Sequence, residues 1–220
     1  MNCSSPFCAV RNDEIREQIK LRNIEHLVHF TNAKNIKSII KNGIIPVQLH
    51  SKYGINSLAN DKIRSDDLTE TTSFSIEFPN YKMFYKLRAE NPNEEWAVLF
   101  VNSSILLNKE CVFCFDNASN PEIKGIPLKD RMSVSMFKRM FEDIEGILTR
   151  SERKLKRYFT TLPQAEILIF GIIDSDYIDK IAFIDSKTKK KYTTFIPNSI
   201  KSEVIPDYFY AREDHEYEIE

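Results

Sequence analysis

Four stretches of the chain hold side chains able to do chemistry. Glu166 opens the apolar run Ile167-Leu168-Ile169-Phe170 directly behind Gln164-Ala165. Strand alternation points such a carboxylate either to solvent or inward, where it costs several kcal/mol unless it is paired or hydrogen-bonded. His29-Phe30-Thr31 ends a short apolar segment. His29 is either a core histidine with one ring nitrogen tied to a backbone carbonyl or a ligand-binding group, and Thr31 is a helix cap or a further contact. A polar loop bears Arg64, and the stretch Ser73 to Arg88 carries Tyr81, Phe84 and Tyr85 at helical spacing, which suits a core face or a stacking platform. Before Glu166, the run Arg150, Arg153, Lys154, Lys156 and Arg157 sets five positive charges against one negative and is followed by Tyr158 and Phe159. Runs of this kind are solvated faces or local polyanion sites.

These residues need an α+β frame to hold them. A helix capped at Asn12 or Asp13 reaches about Arg22 with Ile15, Ile19 and Leu21 on its apolar side, and Leu27-Val28-His29-Phe30 reads as a strand. Thr31 or Asn32 then caps a helix with Ile36, Ile39 and Ile40 at helical spacing, and Asn42-Gly43 stops it. Pro46 to Glu70 has no sustained period and reads as a long loop. Strands are expected at Ser73–Ile76, Trp96–Val101, Val112–Phe115, Ala165–Phe170 and Ile181–Ile184. Helices are expected after Pro79 and within Met132–Leu148, and an acidic, solvated tail over 203–220. The whole of 1–220 reads as one domain with its core at about 24–185.

The balance of 31 Lys+Arg against 32 Asp+Glu makes any polyanion site local rather than global, and 42% hydrophobic residues exclude a disordered or fibrous chain. No apolar run approaches the roughly 18 residues of a membrane span, and the polar N-terminus has no signal-peptide core, so a cytoplasmic protein without membrane contact is expected. Five glycines supply no Gly-rich phosphate cradle. The cysteines fall as Cys3/Cys8 and Cys111/Cys114. The first spacing is irregular for zinc and the second pair reads as a buried strand, so no metal is expected.

The order of these features resembles the ADP-ribosyltransferase fold, and within it the DarT family of toxins that ADP-ribosylate nucleic-acid bases. The resemblance is carried by His29-Phe30-Thr31, Asn35-Ile36, Gly43-Ile44-Ile45, Arg64, Ser73-Phe74-Ser75 and Gln164-Ala165-Glu166, over roughly Leu27 to Ile173. Ser73-Phe74-Ser75 is also similar to the Ser-x-Ser strand of arginine-type ADP-ribosyltransferases. The resemblance implies a PARP-like mixed sheet with peripheral helices and NAD as ADP-ribose donor. Glu166 is then the catalytic carboxylate facing positive charge that develops on the ribose, with Arg64 pairing with the pyrophosphate or orienting the reacting groups. His29, Thr31, Asn35, Gly43 and Ser73 fall to the cofactor, as does the N-terminus of the helix after Asn32, and Tyr81 or Tyr85 to stacking on nicotinamide. Arg150, Arg153, Lys154, Lys156 and Arg157 would neutralise the phosphates of a single strand while Tyr158 and Phe159 stack on its bases. The resemblance implies single-stranded DNA as acceptor, with RNA the alternative, and a toxin with a cognate antitoxin, and a monomer is expected. The competing readings are a non-catalytic single-strand-binding protein and a plain structural protein.

Overall fold

A computed structural model of the chain describes residues 6–54 and 68–218. Its strands are β1 (His26–Asn32), β2 (Thr71–Ile76), β3 (Trp96–Asn102), β4 (Cys111–Cys114), β5 (Glu166–Phe170), β6 (Ile178–Phe183) and β7 (Lys201–Val204). The helices are α1 (Pro6–Arg22), α2 (Ile36–Asn42), α3 (Tyr81–Glu90), α4 (Ile105–Asn108), α5 (Pro121–Lys124), α6 (Leu128–Arg131), α7 (Val134–Arg139) and α8 (Ser186–Tyr192). The strands form one sheet in the order β4-β5-β2-β1-β3-β6-β7. All pairings are antiparallel except β6 with β7.

Alternation along the central strands divides the core in two. Leu27, Phe74, Ala97, Leu99, Val101, Ile181 and Phe183 join one cluster with Ile15 of α1 and with α2 and α4. Val28, Val98, Phe100 and Ala182 face the other way, under Phe84 of α3 and Phe209 of the C-terminal segment. β4 is buried at all four residues, so Cys111 and Cys114 pack as small apolar groups, and burial pushes the Cys111 thiol up to about 12.

The expected strands are present, with β7 in addition. Two expectations need correction. The first helix begins at Pro6, and Asn12 is not its cap: its Nδ2 donates to the Leu107 carbonyl at 2.9 Å, tying α1 to the C-terminal part of α4. Within Met132–Leu148, where one or two helices are expected, α7 is the helix, and turns follow Arg139. The acidic tail is solvated only in part: β7 joins the sheet, Phe209 is 1% exposed, and Arg212 and Asp214 are each 2% exposed. Acidic composition marked that segment as surface, but these three residues anchor it to the body.

Gly43 ends α2 at φ +79, a conformation that costs a side chain free energy. Its neighbour Ile44 bridges Ile173 through hydrogen bonds of 2.8 and 3.0 Å. A Cβ on Gly43 would stand 2.4 Å from the Ile173 carbonyl oxygen. Gly43 is therefore a close-approach residue joining α2 to the chain after β5, and this geometry explains its glycine without any ligand. Gly43→Ala should lower stability by about 1–3 kcal/mol. Urea unfolding measures this, and an unchanged midpoint would contradict it.

Candidate active site

β1 and β2 pair only at Leu27↔Ile76 and Val28↔Ser75. Beyond these pairs β1 continues beside β3 to Asn32↔Trp96, whereas β2 from Phe74 back to Thr71 pairs with β5. The two strands part, and their facing edges form a fork. His29 stands at its apex, with Nδ1 2.9 Å from the Ser73 carbonyl oxygen. A carbonyl only accepts, so Nδ1 carries a proton. Thr31 is buried on the same edge, and its hydroxyl accepts from Asn35 Nδ2 at 3.0 Å. Opposite, Ser73 is half-buried, and Thr72 Oγ1 is buried with no hydrogen-bond partner among the described residues. Such an orphan hydroxyl beside a parted strand edge is a place for a ligand's polar groups.

The helix expected to begin at Asn32 is preceded by a tight turn, Ala33–Asn35, capped by Asn32 itself. Asn32 Oδ1 accepts from the Lys34 amide at 3.0 Å, and its Nδ2 donates to Glu94 at 2.7 Å. Thr31 is thus left to the fork rather than to capping.

The register locates Glu166. Val28 pairs with Ser75, Ser73 with Leu168, and Cys114 with Glu166, so Ser73, Ser75, Leu168 and Glu166 share the face that carries Phe100. Glu166 is 8% exposed, and its Oε2 accepts from the Ala118 amide at 2.9 Å. A backbone donor to a carboxylate is a charge-assisted bond that fixes its orientation. Ser75 Oγ accepts from the Asn80 amide at 3.1 Å and shapes the turn into α3, which Asn80 caps through Met83.

The basic run is not a helix but a series of turns, and it divides by function. Arg150 donates to the Phe159 and Lys156 carbonyls at 2.8 and 3.1 Å and to Thr161 Oγ1 at 3.0 Å. Burial first, then the neighbouring Arg212 and Arg22, push its guanidinium down to about 10. Arg153, 3% exposed, donates to the Thr161 carbonyl at 2.9 Å and pairs with Asp214 at 2.5 Å. Arg212 clasps Asp214 through two bonds and reaches the Thr160 carbonyl at 3.0 Å. Arg150 and Arg153 are therefore structural and face inward, which corrects their assignment to phosphates. Lys154, Lys156 and Arg157 remain exposed, and Phe159 is buried while Tyr158 is half-buried. Tyr81 is buried at the start of α3 and Tyr85 is 69% exposed, so the pair forms no single stacking surface. Arg64 lies outside the described residues.

A cavity of about 290 Å³ lies between Arg88, Trp96, Ile184 and Phe209 and is lined by none of the candidate catalytic, cofactor or nucleic-acid residues. No group of three metal-ligating side chains occurs among the described residues. No helix among them is long and apolar enough to cross a membrane.

A family model described as DarT, an ssDNA thymidine ADP-ribosyltransferase, matches residues 28–210. The chain belongs to the DarT family. The match runs past Asp185, so α8, β7 and the segment to Tyr210 are part of the DarT unit. Comparison with curated proteins finds no match. Among solved structures, Thermus sp. 2.9 DarT in complex with carba-NAD+ superposes with a TM-score of 0.58 at 13% identity, covering 84% of this chain and 98% of that one. Thermus sp. 2.9 DarT in complex with ADP-ribosylated ssDNA gives 0.54 at 12% identity, over 86% and 97%. Thermosipho africanus DarTG in complex with ADP-ribose gives 0.57 at 18% identity. It is covered over only 51% of its length by 84% of this chain, which thus spans about half of that protein. The fold is that of the ADP-ribosyltransferases, a mixed sheet with peripheral helices.

Sequence reasoning missed two features of this DarT chain that bear on the candidate site. The Ala118 amide that holds Glu166 is a backbone group and leaves no side-chain signal. The carboxylate of Asp214 is buried against two arginines, and its only sequence trace is the pairing of Arg212 with Asp214 two residues apart in a run of acids. Burial pushes the Asp214 carboxyl up, but hydrogen bonds and charge from Arg212 and Arg153 outweigh it and hold the group below the ordinary aspartate value. A depressed value means stability that is complete above the unfolded-state value of about 3.9 and lost as pH falls through the folded one. Asp214→Asn should therefore lower stability at neutral pH by about 3 kcal/mol or more and flatten the acid limb below about pH 4. Urea titrations across pH measure both, and a variant whose profile parallels wild type would contradict the ion pair.

Proposed function

We propose that this DarT protein transfers ADP-ribose from NAD to a thymidine base of single-stranded DNA, as the toxin of a toxin–antitoxin pair. The observation that carries the reading is Glu166, a carboxylate buried at the start of β5, oriented by the Ala118 amide and adjoining a parted pair of strands. NAD supplies the ADP-ribosyl group and nicotinamide as a leaving group. Each remaining role belongs to the chain. His29, held by its Nδ1 bond to the Ser73 carbonyl, lines the fork where the cofactor's sugar would lie. Thr31, steadied by Asn35, and Ser73 offer hydroxyls from the two edges of the fork. The Glu166 side chain faces positive charge developing at the ribose as nicotinamide leaves, in a site shielded from water. Once the bond is broken the same carboxylate is placed to take the proton released by the attacking base. Arg64 is proposed to pair with the pyrophosphate.

The reading is supported by the family match, described as an ssDNA thymidine ADP-ribosyltransferase, and by the likeness to Thermus DarT in complexes with carba-NAD+ and with ADP-ribosylated ssDNA. The name of the Thermosipho protein, DarTG, supports the antitoxin partner. Incubation with labelled NAD and oligonucleotides of each single base, in DNA and RNA forms, tests the proposal. Label should appear on thymidine-containing DNA, and Glu166→Gln should reduce transfer by at least about 100-fold. The amide oxygen of Gln can still accept from Ala118, so the variant should keep its melting temperature. Label on RNA alone, or transfer undiminished in the variant, would overturn the reading.

A further inference from the structure

Three half-buried rings from three separate segments meet on the face that carries Glu166. Phe78 follows β2, Tyr158 lies in the loop before β5, and Tyr208 belongs to the C-terminal segment. Phe78 and Tyr208 are stacked, with ring centres 5.2 Å apart and planes 26° from parallel. Buried Phe159 meets Phe78 at 6.0 Å and Tyr158 at 4.8 Å, both edge to face. Buried Phe100 lies against Tyr208 at 4.8 Å. Phe100 and Phe159 are thus a floor, and the other three rings stand partly in solvent.

Two cations flank the cluster. Lys156 Nζ lies 6.0 Å from the Tyr158 ring centre and 5.8 Å from that of Phe159, and Lys180 Nζ lies 4.1 Å from that of Phe100. Lys156 pairs with Glu213 at 2.8 Å, but both side chains are about half exposed, and exposed pairs are weak enough to exchange for a phosphate. Burial, and then the negative charge of Glu77, push the Tyr208 phenol up to about 12, so it stays neutral beside an anionic strand. The Glu77 carboxylate is itself occupied by the Glu25 and His26 amides.

Location ties the cluster to the reaction. β2 runs antiparallel to β5, so its C-terminal end, which leads into Phe78, lies at the end where Glu166 begins β5. Tyr158 precedes the same strand by a short loop whose carbonyls are held by Arg150, Arg153 and Arg212. Every base has a π face, so open rings flanked by cations suit a single strand whatever its sequence.

We propose that Phe78, Tyr158 and Tyr208 form the acceptor platform, on which bases flanking the modified one stack while Lys156 and Lys180 neutralise the intervening phosphates. The inference rests on the single-strand reading above and names the residues that hold the strand. It also moves the acceptor contacts away from Arg150 and Arg153. The test titrates a fluorescent oligothymidine into the full chain at several salt concentrations. Phe78→Leu and Tyr208→Leu should each bind about 10-fold more weakly with an unchanged salt slope, and Tyr208→Phe should bind as wild type does. Lys156→Ala and Lys180→Ala should each reduce the slope of log affinity against log salt by about 0.7. These surface variants decide the matter if a ring variant fails to fold. Wild type that accepts ADP-ribose on single strands, with leucine variants binding as tightly or lysine variants keeping the full slope, overturns the platform alone. Wild type that neither binds nor modifies any single strand overturns the platform together with the functional reading.

Discussion

After Val28 and Ser75, two neighbouring strands of one sheet stop sharing hydrogen bonds, and the site depends on that parting. Each strand keeps a partner on its other side, β3 for β1 and β5 for β2, so the sheet survives while two edges open within it. Unpaired edges inside a sheet leave polar groups in need of partners. His29 fills part of the need by donating to the Ser73 carbonyl, which fixes its ring at the apex of the fork. His29 and Thr31 are one residue out of step with the face that carries Glu166. They can serve the same reaction because the fork opens beside β5.

The second constraint holds the chain that leads into Glu166. Turns such as those of 149–163 have few backbone partners of their own, and here three guanidinium groups supply them. Arg153 and Arg212 are buried by this arrangement, and the Asp214 carboxylate compensates their charge from the far end of the chain. The C-terminal segment therefore acts on the site twice, through Asp214 under the loop and through Tyr208 and Phe209 across the sheet. Residues remote in sequence thus decide the shape of the surface beside Glu166.

Most of the frame was legible because the periodicity of its elements is local. The helix stop at Asn42-Gly43, the apolar strand from Trp96 and the burial of Cys111 and Cys114 follow from neighbours in the chain. Glu166 was legible as an anomaly, a carboxylate at the head of an apolar run. The basic run misled because composition counts charges and not their partners: Arg150 and Arg153 look like Lys154 and Arg157 until Asp214 and the loop carbonyls are in place. The tail misled for the same reason, although Tyr208-Phe209-Tyr210 within its acids was a signal of burial. Phe78 gave no warning, since it matters through rings that reach it from elsewhere.

The account predicts that donor and acceptor approach Glu166 from different sides, NAD along the fork and the single strand across the aromatic rings. The most direct test is a crystal structure of the full chain with a non-reactive NAD analogue and a short oligothymidine. The predicted result is the analogue between β1 and β2, in contact with His29 and Thr31 and with its ribose at Glu166, and a base on Phe78 or Tyr208. An analogue bound elsewhere, such as in the cavity between Arg88 and Trp96, with Glu166 left out of contact, would contradict it.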